Sequence, residues 1–234
     1  MKALTPPDPR PGARHPGPPL LPIAVMHVLL FMSGVVAGSV LAGGDRFPSP
    51  FEPGEAALRF FSERAGSVRV TSFLQFASAI ALGIFTASVT SRLRFLGVRA
   101  AGESIALVGG MAASLALAAC GLGLWALSFP GVAESPGTLR ALHLLTFAAG
   151  GPGTVVSFGL LIAGVSVTSA FHRFLPRWVV WLGLVVAGLA ELSALVLLVP
   201  GAAPLLPLAR FPGFVWLIAV AATLPAARRS GRDA

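Results

Sequence analysis

Four side chains with acid, base or hydrogen-bonding chemistry fall inside or at the ends of strongly apolar stretches: Glu191, His143, Arg69 and Gln75. Ionisable groups in such stretches usually face a bundle interior or a water-filled cavity, because hydrocarbon solvates them badly. Glu191 lies roughly 12 Å from the far end of its stretch at 1.5 Å per helical residue. His143 sits just inside the start of another stretch, one turn from Arg140, and Arg69 opens a third, with Gln75 nearly two turns further on. Arg210 stands near the start of the last one. With these ends on one side of a membrane, Glu191, His143, Arg69 and Gln75 make a candidate polar cluster. The alternative gives each its own partner, with Arg69 and His143 reaching the headgroups.

The run Gly150-Gly151-Pro152-Gly153 interrupts the stretch that carries His143. Proline removes a backbone donor and glycine loosens the helix. Pro152 falls roughly 17 Å deep, within about a turn of the level of Glu191. A broken helix beside an intramembrane carboxylate is how many transporters build a midplane site; a structural kink, with Glu191 bonded to His143 or a serine, is the plainer reading. His27 and His172 raise a third reading, since two histidines at similar depth can ligate a haem, although His172 adjoins Arg173 in a loop-like stretch. Enzyme signatures are missing from the chain. There is no H-E-x-x-H, the only lysine is Lys2, and the nearest approach to G-x-S-x-G is Gly164-Val165-Ser166 followed by Val167-Thr168. A single cysteine, Cys120, excludes an internal disulfide and a multi-cysteine zinc site. No metal and no cofactor is expected.

The elements that must hold these groups follow from composition. Only 11% of the residues are charged and 55% are hydrophobic, against about 25% charged in an average soluble domain. Six stretches, 21–42, 70–91, 104–128, 141–169, 179–199 and 208–227, each reach the ~20 residues needed to cross hydrocarbon and are apolar on all sides. The first is too long for the ~7–15-residue core of a signal peptide and reads as an uncleaved helix. Basic residues mark the cytoplasmic side. Lys2, Arg10, Arg14, Arg92, Arg94, Arg99, Arg173, Arg177, Arg228, Arg229 and Arg232 fall on one side, against Arg46, Arg59, Arg64, Arg69, Arg140 and Arg210 on the other. Both termini are therefore expected in the cytoplasm. The net charge of +8 reports this orientation and not nucleic-acid binding.

Residues 1–20 form a proline-rich tail that is expected to be extended and unpacked, and 228–234 a basic cytoplasmic tail. The segment 43–67 is the sizeable outer loop. Within it, 54–65 reads as a short helix that caps the bundle mouth, stops at Gly66 and carries Glu55, Arg59 and Glu63 at pairing distance. Small residues four apart, Gly34 and Gly38, Gly109 and Ala113, Gly110 and Ser114, Gly183 and Ala187, mark helix-packing faces inside the bundle. Ser88-Val89-Thr90-Ser91 before Arg94-Phe95-Leu96 is echoed by Ser166-Val167-Thr168-Ser169 before Arg173-Phe174-Leu175. The echo suggests two related hairpins; coincidence in an Ala/Val/Ser-rich chain explains it equally well.

Three further stretches, Phe73-Leu74-Gln75-Phe76 continuing to Leu82-Gly83-Ile84-Phe85-Thr86, then Arg94-Phe95-Leu96-Gly97, then Arg210-Phe211-Pro212-Gly213-Phe214-Val215-Trp216-Leu217-Ile218, resemble an uncharacterised family of bacterial multi-pass membrane proteins built on a domain of unknown function. The resemblance runs from the second stretch onward and implies a multi-pass fold of this size, without an activity. The expectation is an all-α, six-helix transmembrane bundle over 21–227 with both termini cytoplasmic, in the bacterial cytoplasmic membrane. It reads as a non-enzymatic membrane component, or alternatively as a small transporter with a site at Glu191 and the Gly150–Gly153 break. Its partner is the lipid bilayer and not nucleic acid; a protein partner or oligomer is not specified by the sequence.

Overall fold

The computed structural model describes residues 14–52 and 54–227. Six helices are long and apolar enough to cross a membrane, so the chain is an all-α, multi-pass integral membrane protein. The elements are α1 (Leu20–Leu41), α2 (Gly54–Glu63), α3 (Ala65–Phe95), α4 (Ala101–Leu127), the one-turn α5 (Pro130–Ala133), α6 (Pro136–Ala148), a π-helical turn (Ala149–Gly153), α7 (Thr154–His172), α8 (Arg177–Leu192) and α9 (Leu205–Thr223). The fourth span is α6, the π turn and α7 in one continuous run. The helices pack in the order α1, α3, α4, α7, α8, α9, and α9 returns to α1. Leu29, Phe73, Val108, Leu115, Trp181 and Val215 point outward, as the lipid-facing side of a bundle requires.

Because lipid is as apolar as leucine, helices in it associate through close backbone approach and interhelical hydrogen bonds. The small-residue faces meet partners within the bundle. Gly34 and Gly38 face Gln75 and Thr71 of α3, Gly109 faces Leu160 and Leu161 of α7, and Gly110 faces Thr86 of α3. The Ser/Thr side of α3 ties its neighbours through carbonyls. Ser67 Oγ donates to Gly38 O (2.6 Å), Ser78 Oγ to His27 O (2.9 Å) and Ser72 Oγ to Gly121 O (2.8 Å), and Ser114 Oγ of α4 donates back to Ala79 O (2.7 Å). Phe85, Leu93, Ile162, Val165, Trp216 and Leu217 fill the core between them. The two echoed segments lie at the turns of two hairpins, α3–α4 and α7–α8; positive φ falls after the first copy at Gly97 (95°) and inside the second at Arg173 (54°).

We call the end bearing α2 the cap end and the other the tail end. Helix α2 is a cap: Ala57, Phe60 and Phe61 are buried with Ala42, Val68, Leu124, Leu127 and Leu139. Two details differ from expectation. The break before α3 is at Arg64 (φ −112°, ψ 25°) and Gly66 lies inside α3, because Arg64 turns to pair with Asp45 (Nη2–Oδ2 2.8 Å). The charges of α2 do not pair with one another among the described residues; the ion pairs at this end are Arg64–Asp45 and Arg46–Glu52.

Residues 1–13 and 228–234 of the two tails lie outside the described residues. The adjoining segment is held in place. His15 N donates to Ala226 O (2.8 Å), its ring meets Ser91 Oγ (3.1 Å) and the edge of Phe95, and Arg92 donates to Pro18 O (3.3 Å). Burial first, and the charge of Arg92 second, hold the His15 pKa below its ordinary value. Folded His15 then binds fewer protons than unfolded His15, so this tie is complete above the ordinary imidazole range and weakens as pH falls through it. Hydrogen exchange at the His15 amide, corrected for intrinsic rate, should speed up between pH 7 and pH 5, and His15→Gln should remove that dependence; equal protection at both pH values would refute it.

Candidate functional site: a roofed cavity at the cap end

A cavity of about 410 Å³ lies between α1, α3, α4, α6, the π turn and α9, and is roofed by Asp45 to Pro50 of the loop before α2. Its size is that of ordinary small-molecule sites, roughly 300–1,000 Å³. The walls are mainly apolar and aromatic, with Phe31, Phe47, Phe60 and Phe147 among them.

The floor is Arg210, one turn into α9, which also borders a void of about 10 Å³ beneath, beside His27 and Phe214. The π turn is what receives it. Pro152 has no N–H, and the Thr154 side chain closes onto the Ala149 carbonyl five residues back (2.8 Å). A widened turn leaves carbonyls free of the regular ladder, and Arg210 Nη2 donates to the Gly150 carbonyl. The guanidinium also lies over the Phe31 ring, 5.1 Å from its centroid. Among the described residues no carboxylate lies within ion-pair distance of Arg210.

The polar wall groups come from three helices. Gln75 of α3 and Thr146 of α6 are buried, and Gln75 Oε1 and Thr146 Oγ1 have no hydrogen-bond partner among the described residues. His143 of α6 is 4% exposed and packs edge-on to Phe61 (5.2 Å) and Phe47 (6.2 Å). Cys120 of α4 lines the cavity where it touches Gly150. Buried polar atoms without a partner are uncommon in folded proteins and call for an explanation.

The sequence cluster is partly assembled here. His143, Gln75, Gly150 and Gly151 line one cavity, while Pro152 and Gly153 complete the turn behind it. Arg69 does not join them. It points to the end of α4, where Nε donates to Ser128 Oγ (3.1 Å) and the guanidinium covers Phe129 (5.2 Å). Glu191 does not join them either. It is exposed on α8, beside Gly159 of α7 and outside the cavity lining. The residue that takes the central position is Arg210. Its signal was an in-span arginine with no acid three or four residues away on its own helix, and so in need of a partner elsewhere.

His27 Nδ1 donates to the Ser78 carbonyl (2.9 Å) and the ring packs against Phe214 (5.4 Å), whereas His172 stacks on Phe174 at the tail end. Among the described residues no three His, Cys, Asp or Glu side chains group as metal ligands. No family model, no curated protein and no solved structure matches the chain, and the functional reading therefore rests on the cavity itself.

Proposed function

We propose that the chain is a non-enzymatic solute-binding component of a bacterial cytoplasmic membrane, acting as a small carrier does, with both termini in the cytoplasm and the cap end outside. The observation that carries this reading is the cap-end cavity, a partly open space between the helices with a charge and two unpartnered polar atoms. A helix broken at Gly150–Gly153 supplies a free carbonyl to the site, as broken helices do in carriers, and this supports the transporter reading with Arg210 in the place expected of Glu191. The arginine distribution supports the orientation. Membership of the resembled family remains part of the same proposal.

Two observations favour binding over chemistry. Cys120 lies against Gly150 and His143 two turns higher against Phe61, and no hydrogen bond joins them into a nucleophile–base pair among the described residues. A haem ligated by His27 is disfavoured by its enclosure, since the void beside it holds only about 10 Å³.

Cys120, the sole cysteine, tests the reading directly. It lies about 10 Å below the cap end of α4 at 1.5 Å per residue. A membrane-impermeant thiol reagent, sulfonatoethyl methanethiosulfonate, should modify it in right-side-out vesicles and leave it unmodified in inverted ones. The reverse pattern would overturn the orientation. Modification on neither side, with full modification after denaturation, would overturn the open cavity.

A further inference from the structure

We infer that the ligand of the cavity is a monocarboxylate with an apolar body, its carboxylate seated on Arg210. This rests on the solute-binding reading above and adds the ligand's chemical class.

The guanidinium brings five donors in a planar fork, and the partners described for it are a single carbonyl, Gly150 O, and the face of Phe31. A carbonyl and an aromatic face carry no full negative charge, so the positive charge at the floor remains unbalanced. Charge held among apolar walls is strongly unfavourable without a counter-ion, and a carboxylate is the anion whose two oxygens match the fork. The balance is one to one. Among the described residues no other lysine or arginine lines the cavity, and the one lining acid, Asp45, is at the roof and already held by Arg64. A second negative charge on the ligand would therefore meet Asp45 and no cation. Above Arg210 the space is bordered by Phe31, Phe47, Phe60 and Phe147, surfaces that favour an aryl or alkyl body. Gln75 Oε1 is an acceptor without a donor, so one hydroxyl or N–H on that body has a partner waiting.

The shared chemistry, an apolar chain ending in a carboxylate, has two sources: a soluble acid entering beneath the roof, or a fatty acid from the bilayer. The test uses the full chain in phosphatidylcholine nanodiscs, with the rate of Cys120 modification by the neutral reagent methyl methanethiosulfonate as readout. 3-Phenylpropionate should slow the reaction at concentrations where its amide, phenethylammonium and succinate do not. Arg210→Gln, whose amide still reaches the Gly150 carbonyl, should lose apparent affinity roughly thirtyfold or more, and Arg210→Lys less. Oleate added to the discs separates the sources: protection by oleate alone assigns the bilayer, and protection by 3-phenylpropionate alone assigns the aqueous side. Equal protection by acid and amide, stronger protection by succinate, or unchanged protection in a folded Arg210→Gln variant would overturn the inference. So would protection by phosphatidylglycerol discs without any carboxylate. Should Arg210→Gln fail to fold, the acid-against-amide comparison on the unaltered chain decides. A Cys120 that never reacts without ligand overturns the open cavity itself, an outcome distinct from all of these.

Discussion

Gly164→Val is expected to force α4 and α7 apart and to destabilise the bundle by on the order of 3 kcal/mol. A Cβ at Gly164 would meet the backbone of α4, with the Ala106 nitrogen at 2.7 Å, and a Cβ at Gly109 on the opposing helix would meet the Leu161 nitrogen at 2.7 Å. Obstacles of this kind cannot rotate away as the tip of a side chain does. Relief requires moving a whole helix, and α4 is already fixed on its other side by Thr86 and Ala79 of α3. Gly109→Val should act in the same direction. Gly188→Val is the control: no atom lies within 4 Å of its Cβ position, so its melting temperature in detergent should match that of the unaltered chain. Equal melting of Gly164→Val and Gly188→Val would show that the α4–α7 contact does not hold the bundle.

The second large effect is expected at the cap. Phe61 is 1% exposed and meets Phe47, Phe60 and His143 edge-on. Phe61→Ala removes a contact worth about 3–5 kcal/mol in a packed core. The cap is a small unit attached at one end, so the loss should appear as local opening more than as global unfolding. Phe47 and Pro48 would lose the surface that holds them over the cavity. Cys120 modification in right-side-out vesicles should then accelerate markedly while the melting temperature changes little. An unchanged rate would mean that solute reaches Cys120 by a route other than the roof.

Depth along a helix was readable from residue order, and facing was not. The six spans, the cap and the small-residue faces appear where length, composition and four-residue spacing put them. His143 and Gln75, two of the four residues of the cluster reading, line one cavity with Gly150 and Gly151. Glu191 shows the limit. A helix apolar on every side gives no stripe from which to tell interior from lipid, so a residue's depth carries no information on which way it points. Arg69 was placed on the correct end and facing a different neighbour for the same reason. Arg210 was visible as an unpaired charge, but its partner, the Gly150 carbonyl, lies 60 residues away in another span, and such a pairing leaves no local signal in the sequence. Gly164 carried a faint resemblance to a nucleophile motif through Gly164-Val165-Ser166; its role in the fold is close packing.

The position of Arg210 on α9 also bears on how the protein is made. Five spans, holding every other wall of the cavity, leave the ribosome before the helix that supplies its floor. Until α9 inserts, the Gly150 carbonyl lacks its donor, and the gap between α1 and α8 stands open to lipid. Arg210 in turn is poorly suited to hydrocarbon on its own, since an isolated arginine in a membrane helix disfavours insertion. The five helices that precede it offer it a carbonyl and the face of Phe31, contacts that offset part of that cost when α9 joins them. Closure of the bundle and completion of the cavity are thus a single event, set by the insertion of α9.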